Sequence, residues 1–107
     1  MVEITYHRKY NRFTAKGHAY SGEEGHDLVC AAVSALMLTM AGNVHELSRQ
    51  RSVREPSVHL AKGDAAVGCK PIRKMGNIVT LMFDTVGTGF QLLANQYPEY
   101  IRYTVMQ

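Results

Sequence analysis

Cysteine is scarce in this chain: Cys30 and Cys69 are the only two in 107 residues. That is too few for the disulfide framework of a small secreted scaffold. An apolar leader is missing as well, since the N-terminus MVEITYHRK alternates polar and apolar side chains where a signal peptide needs an apolar stretch. Both absences point to the cytoplasm. The longest apolar run, Leu28 to Ala41, is broken by Ser34 and Thr39. It falls short of the roughly 18–20 residues of a membrane span, so no transmembrane segment is expected. Charge of one sign is not in large excess, because twelve Lys and Arg against nine Asp and Glu leave +3. No repeat, linker or low-complexity tract divides the sequence, and a single domain over 1–107 is expected. A chain of this length buries roughly 60–70% of its extended surface and can fold without staples, although an oligomer would help.

The charge is unevenly placed. Residues 49–74 hold Arg49, Arg51, Arg54, Lys62, Lys70, Arg73 and Lys74 against only Glu55 and Asp64, an excess of five. The plain reading is a solvated strand and loop surface; the functional one is a patch that meets RNA or another anionic partner.

Hydrophobic periodicity supplies the elements. Val2, Ile4 and Tyr6 alternate with Glu3 and Thr5, which predicts a strand over 2–8. After a turn near Tyr10 and Asn11, residues Arg12 to His18 alternate again and complete a hairpin. Residues 19–26 carry Ser21, Gly22, Gly25 and two glutamates and read as a polar loop able to move. From Asp27 the segment LVCAAVSALMLTMAGNVHEL predicts a first helix, with a stop or kink near Gly42 and Asn43. Its apolar residues surround most of the helix, so burial by a sheet and by a second subunit is expected, with Ala31, Ala32 and Ala35 allowing close approach. Residues 50–72, broken by Pro56, Lys62-Gly63-Asp64 and Pro71, predict another hairpin. Ile78, Leu81, Met82, Val86, Phe90, Leu93 and Tyr97 recur every three or four residues and predict a second helix ending before Pro98. Gly87 and Gly89 oppose it by roughly 1 kcal/mol each. Alternation from Tyr100 to Met106 closes the chain with a strand. The fold class is α+β, a mostly antiparallel sheet with two helices in the order ββα-ββ-αβ.

The segment GHAYSGEEGHDLVC, residues 17–30, concentrates the candidate chemistry. It sets a histidine at a strand end and a cysteine in the first turn of a helix. If Asp27 is the N-cap or first helical residue, Cys30 lies two or three positions inside, where free N–H groups and the helix dipole favour a thiolate. That contribution, roughly 0.3–1 kcal/mol, moves a thiol by only about one pKa unit. An imidazole must supply the rest, as general base or as the cationic half of a thiolate–imidazolium pair. His18 is preferred because it follows Gly17 on a strand; His26 stands four residues before Cys30 and remains an alternative. Asp27 serves as helix cap or as orienter of a histidine, and Ser34 lies one turn beyond Cys30. A buried structural cysteine is the competing reading. His18, His26, Asp27 and Cys30 lack the CxxC or HExxH spacing of a metal site, so neither metal nor other cofactor is expected.

Gly17-His18-Ala19 followed by Gly25-His26-Asp27-Leu28-Val29-Cys30-Ala31-Ala32-Val33-Ser34 resembles the signature of the ribosomal-processing cysteine proteases, the Prp family. The element order and length are similar along nearly the whole chain, down to Tyr100-Ile101-Arg102-Tyr103. The resemblance implies Cys30 as nucleophile and His18 as its proton-transfer partner, with Gly17, Asp27 and Ser34 as supporting positions. It further implies removal of a short N-terminal extension from a large-subunit ribosomal protein, number twenty-seven, beside an aromatic residue, by a homodimer. The loop carrying Tyr20, Gly22, Gly25 and His26 would then close over the peptide, and Tyr20 or the second helix would form the aromatic pocket. Two other readings stay open: a relative that processes a different protein, and a non-catalytic module that binds RNA or the ribosome.

Overall fold

The computed structural model describes residues 1–17 and 26–107, and for His26 and Asp27 the backbone alone. The expected elements all form: β1 (Val2–His7), β2 (Arg12–Lys16), α1 (His26–Arg49), β3 (Val53–Ala61), β4 (Asp64–Pro71), α2 (Gly76–Gln96) and β5 (Ile101–Met106). Between β1 and β2 the chain makes a 3₁₀ turn over Arg8–Tyr10 and leaves it through Asn11 in the left-handed region, φ 51°. Asparagine tolerates that conformation better than most residues.

The sheet order is β3-β4-β2-β1-β5. Three of its four pairings are antiparallel, but β5 runs parallel to β1, with Val2 opposite Ile101 and His7 opposite Met106. The sheet is therefore mostly antiparallel, as expected, with one parallel pairing at its edge. Topology explains that pairing. Following the pairings, β2 and β3 point the same way, as do β4 and β5, so each helix is a crossover between strands of like direction. The two crossovers run in opposite directions from oppositely directed strands. Right-handed connections consequently bring both helices to one face, where Leu36 of α1 lies against Gly89 of α2.

Burial follows the helical period. Val29, Val33, Met37, Met40, Val44 and Leu47 are the buried stripe of α1. Val79, Phe83, Val86 and Phe90 are that of α2. Phe13 of β2 touches three other rings, with centroids 4.6 Å from Tyr6, 5.3 Å from Phe83 and 5.2 Å from Phe90. Aromatic pairs at such separations contribute about 0.5–1.5 kcal/mol beyond their area.

Three expectations change in detail. Helix α1 does not stop at Gly42 but continues to Arg49, with Ala41 and Val44 on either side held in the core. Its segment Leu28–Arg49, 22 residues with mean hydropathy 1.6, is long and apolar enough by length and composition to cross a membrane. Its buried stripe is nonetheless used on the sheet. The glycines of α2 are explained by close approach: a β-carbon on Gly87 would stand 2.6 Å from Tyr103 Oη, and one on Gly89 3.0 Å from a Leu36 methyl. Pro56 does not end β3, since the register shifts between Arg54 and Ser57 and the strand passes it through a bulge, with Glu55 at φ 49°.

One polar junction ties β1 to α2. The Tyr6 hydroxyl donates to Asp84 Oδ1 at 2.9 Å, and Arg8 donates through Nε and Nη2 at 3.0 Å each to the two carboxylate oxygens. The Arg8 hydrogen bonds, with that from Tyr6, hold the Asp84 carboxyl below its ordinary 3.8 against the opposing effect of burial. A carboxylate whose folded pKa is depressed contributes stability above its unfolded pKa and loses it as pH falls through the folded value. Asp84→Asn is expected to cost about 1–3 kcal/mol at neutral pH, and the gap from wild type should narrow below about pH 4. Thermal melts from pH 7 to pH 2 check this; a gap that does not change with pH refutes it.

Candidate active site

The cleft that contains Cys30 owes its depth to small side chains. On the inner face of the sheet, Ala15 of β2 stands opposite Ala65 of β4, and Ala65 opposite Leu60 of β3. One step along, the row is Phe13, Val67 and Val58. Phe13 and Val67 are fully buried, Phe13 against Phe83 and Phe90 of α2, whereas the two alanines line the space beside α1. The result is a cleft of about 380 Å³. One wall is α1, through Cys30, Ser34 and Leu38; the other is the tip of the β3–β4 hairpin, residues 60–65.

Gly17 joins the walls. Its N–H donates to the Gly63 carbonyl at 3.1 Å, which ties the end of β2 to the hairpin tip. Its φ of +116° and the Met1 carbonyl, with which a β-carbon would collide, both require glycine there.

Cys30 is half-buried and is the fifth residue of a helix that starts at His26. The start is one residue earlier than a helix beginning at Asp27 and two earlier than one capped by it. The orphan N–H groups therefore precede Val29, and Cys30 stands just past the turn where the dipole acts most strongly. Helix geometry puts His26 and Cys30 one turn apart on a face. Of the other sequence candidates, Gly17 and Ser34 line the cleft. His18, Tyr20, Gly22 and Gly25 lie outside the described residues, as do the side chains of His26 and Asp27. Cys69 is buried in β4, its N–H bonded to the Asn11 carbonyl at 3.2 Å, and burial pushes its thiol up to about 11.

The sequence reading placed an aromatic-binding pocket on Tyr20 or the second helix. No described residue of α2 lines the cleft; the hairpin tip takes that position. The available signal was the Leu60 and Ala65 pair flanking Lys62-Gly63-Asp64, whose meaning depended on knowing that β3 and β4 lie under α1. At the same tip His59 Nε2 stands 3.5 Å from Asp64 Oδ2. A half-buried thiol beside an apolar trough, open enough to admit a peptide, is an arrangement suited to nucleophilic attack on a bound carbonyl.

A family model described as cysteine protease Prp matches residues 1–102. Among solved structures, the chain is similar to the essential ribosomal processing protease Prp from S. aureus in complex with a substrate peptide. That match has 25% identity, covers 98% of this chain and 97% of the other, and has a TM-score of 0.69. The same S. aureus protease with a covalently linked product peptide matches at 26% identity, with the same coverage and a TM-score of 0.71. The protein SMU.848 from Streptococcus mutans matches at 25% identity over 98% of this chain and 91% of its own, with a TM-score of 0.67. No curated protein matches in sequence.

Filling the alanine floor tests the cleft. Ala65→Phe is expected to slow alkylation of Cys30 by a bulky maleimide about tenfold, an occlusion equivalent to ~1.4 kcal/mol, while iodoacetamide reacts at nearly the wild-type rate. Cys69 stays unlabelled in both proteins because its thiol is buried and protonated. Equal slowing of the two reagents would show that the floor does not shape access.

Proposed function

Starting from a chain that belongs to the cysteine protease Prp family, we propose that Cys30 and His18 cleave a short N-terminal extension from a large-subunit ribosomal protein, number twenty-seven. The observation that carries this reading is the position of Cys30 on a trough floored by Ala15 and Ala65. There an extended peptide with a large apolar side chain finds room that the neighbouring Phe13–Val67 row would deny.

In this mechanism the peptide lies between α1 and the hairpin tip. Cys30 Sγ, as thiolate, attacks the scissile carbonyl carbon, and the developing oxyanion takes hydrogen bonds from main-chain N–H groups at the start of α1. The N–H of Cys30 is used within the helix, so the donors come from the turn before it. His18, protonated by the thiol, returns that proton to the departing amine. Water, deprotonated by the same imidazole, then attacks the thioester and releases the acyl fragment. Asp27 orients the histidine or caps the helix, Ser34 supports the nucleophile from the next turn, and the loop with Tyr20, Gly22, Gly25 and His26 covers the bound peptide.

A homodimer belongs to the same proposal. From Leu28 to Val44 helix α1 carries no Asp, Glu, Lys, Arg or His, and α2 has only Asp84. The outer faces leave Leu81 and Leu92 exposed at 65% and 62%. Two copies related by a two-fold axis bring such neutral faces together without like-charge repulsion. Leu81→Lys with Leu92→Lys should shift sedimentation equilibrium toward monomer; an unchanged dimer would place the interface elsewhere.

The central test is mass spectrometry of a peptide spanning the extension and the first mature residues. Wild type should cut once, and Cys30→Ser and His18→Ala should each lose at least about a hundredfold in rate, the lower range of a general acid–base contribution. Full activity in either variant overturns the assignment of that residue. An intact peptide with wild type, alongside selective labelling of Cys30, would assign the protease a different substrate.

A further inference from the structure

The basic excess of the sequence becomes a pole in the structure. Strand registers put His7 beside Arg12 and Met106, Arg12 beside Gly68, and Arg54 beside Lys70. The turn Arg8–Tyr10, the end of β4, the start of β3 and the C-terminus of α1 therefore share one end of the molecule. Three bases there are already paired: Arg8 with Asp84, Arg49 with Glu46 and Lys70 with Glu55. Six more, Lys9, Arg12, Arg51, Arg54, Arg73 and Lys74, form no ion pair with any described residue, and all but the half-buried Arg12 are exposed. Elsewhere the described charges balance, with Lys16, Lys62 and Arg102 against Glu3, Asp64 and Glu99.

A second observation narrows the partner. Tyr10, next to Lys9 and two residues before Arg12 at this end of the molecule, has 67% of its surface exposed. Its turn is anchored from both sides: the Asn11 carbonyl accepts the Cys69 N–H, and Asn11 Nδ2 donates to Thr80 Oγ1 at 3.1 Å. An exposed aromatic on an anchored turn, at an end of the molecule rich in unpaired Arg and Lys, is the arrangement that takes a nucleic acid strand: phosphates to the cations, an unstacked base to the ring. An acidic protein partner would use the charges but not the stacking face.

We propose that this pole is a docking surface for single-stranded RNA, separate from the proteolytic cleft. Nineteen residues of α1 separate Cys30 from Arg49, about 28 Å at ~1.5 Å per residue, so a strand held at the pole leaves the trough open. The protein can cleave a peptide while attached to RNA, and loss of Cys30 does not weaken the attachment.

The test is fluorescence anisotropy of the full chain with a labelled single-stranded RNA of roughly 12 nucleotides, at salt between about 50 and 200 mM. Binding should weaken with salt, with a log–log slope near −3 to −4 for about five phosphate contacts. Arg73→Gln with Lys74→Gln should make that slope shallower by about 1.4. The charge-reversing pair Arg73→Glu with Lys74→Glu should abolish binding. Tyr10→Ala should weaken it about tenfold for the single strand and leave a duplex of the same sequence unaffected. Cys30→Ser should bind as wild type, and melting curves confirm that each variant is folded. Absence of binding overturns the proposal, as does binding equally reduced by Lys16→Gln with Arg102→Gln. Polyphosphate or anionic vesicles competing as well as RNA, with Tyr10→Ala inert, would show a general polyanion surface and overturn it too.

Discussion

Everything functional in this molecule depends on how α1 lies on the sheet. One stripe, from Val29 through Met37 and Met40 to Leu47, is buried, and that stripe sets the rotation of the helix about its axis. Cys30 and Ser34, one position past Val29 and Val33, are thereby turned to the margin of the contact and into the cleft. A helix rotated by one residue, about 100°, would bury the thiol in the core or move it away from the trough. Hydrophobic burial of its neighbours thus sets where Cys30 stands.

The same packing explains the trough. A helix over a twisted sheet meets it unevenly, and side-chain size decides where the gap is filled. Phe13 and Val67 are fully buried; Ala15 and Ala65 are too small to close the cleft they share with Cys30. The hairpin tip, tied to Gly17 through Gly63, holds the far wall. The glycine that precedes His18 in the sequence is thus also a structural joint, and this gives it two reasons to lack a side chain.

The helix also separates two chemistries. Its N-terminal turns belong to the cleft, and its C-terminus belongs to the basic end of the sheet, where the strands that alternate in direction bring Arg12, Arg54 and the residues after β4 together. Charges spread over the chain, from Lys9 to Lys74, become neighbours because β2, β3 and β4 are adjacent in the sheet. The basic end and the cleft can then be adjusted independently.

Much of this was legible beforehand. Period-two alternation marked β1, β2 and β5, the three-and-four period marked α2, and the Gly17 to Ser34 segment singled out Cys30, because local periodicity and motif spacing are written along the chain. The parallel pairing of β5 with β1 was not legible, since alternation reports which face is buried and says nothing of which strand lies beside it. Gly87 and Gly89 looked like flaws in a helix until Tyr103 and Leu36, distant in sequence, were seen against them. The hairpin tip likewise looked like an ordinary turn. The sequence by itself determined the elements, the candidate cysteine and the excess of basic charge, all of which depend on neighbours along the chain. Tertiary structure alone decided the strand order, the alanine floor, the wall opposite Cys30 and the gathering of the bases at one pole, because each arises from residues that only packing brings together.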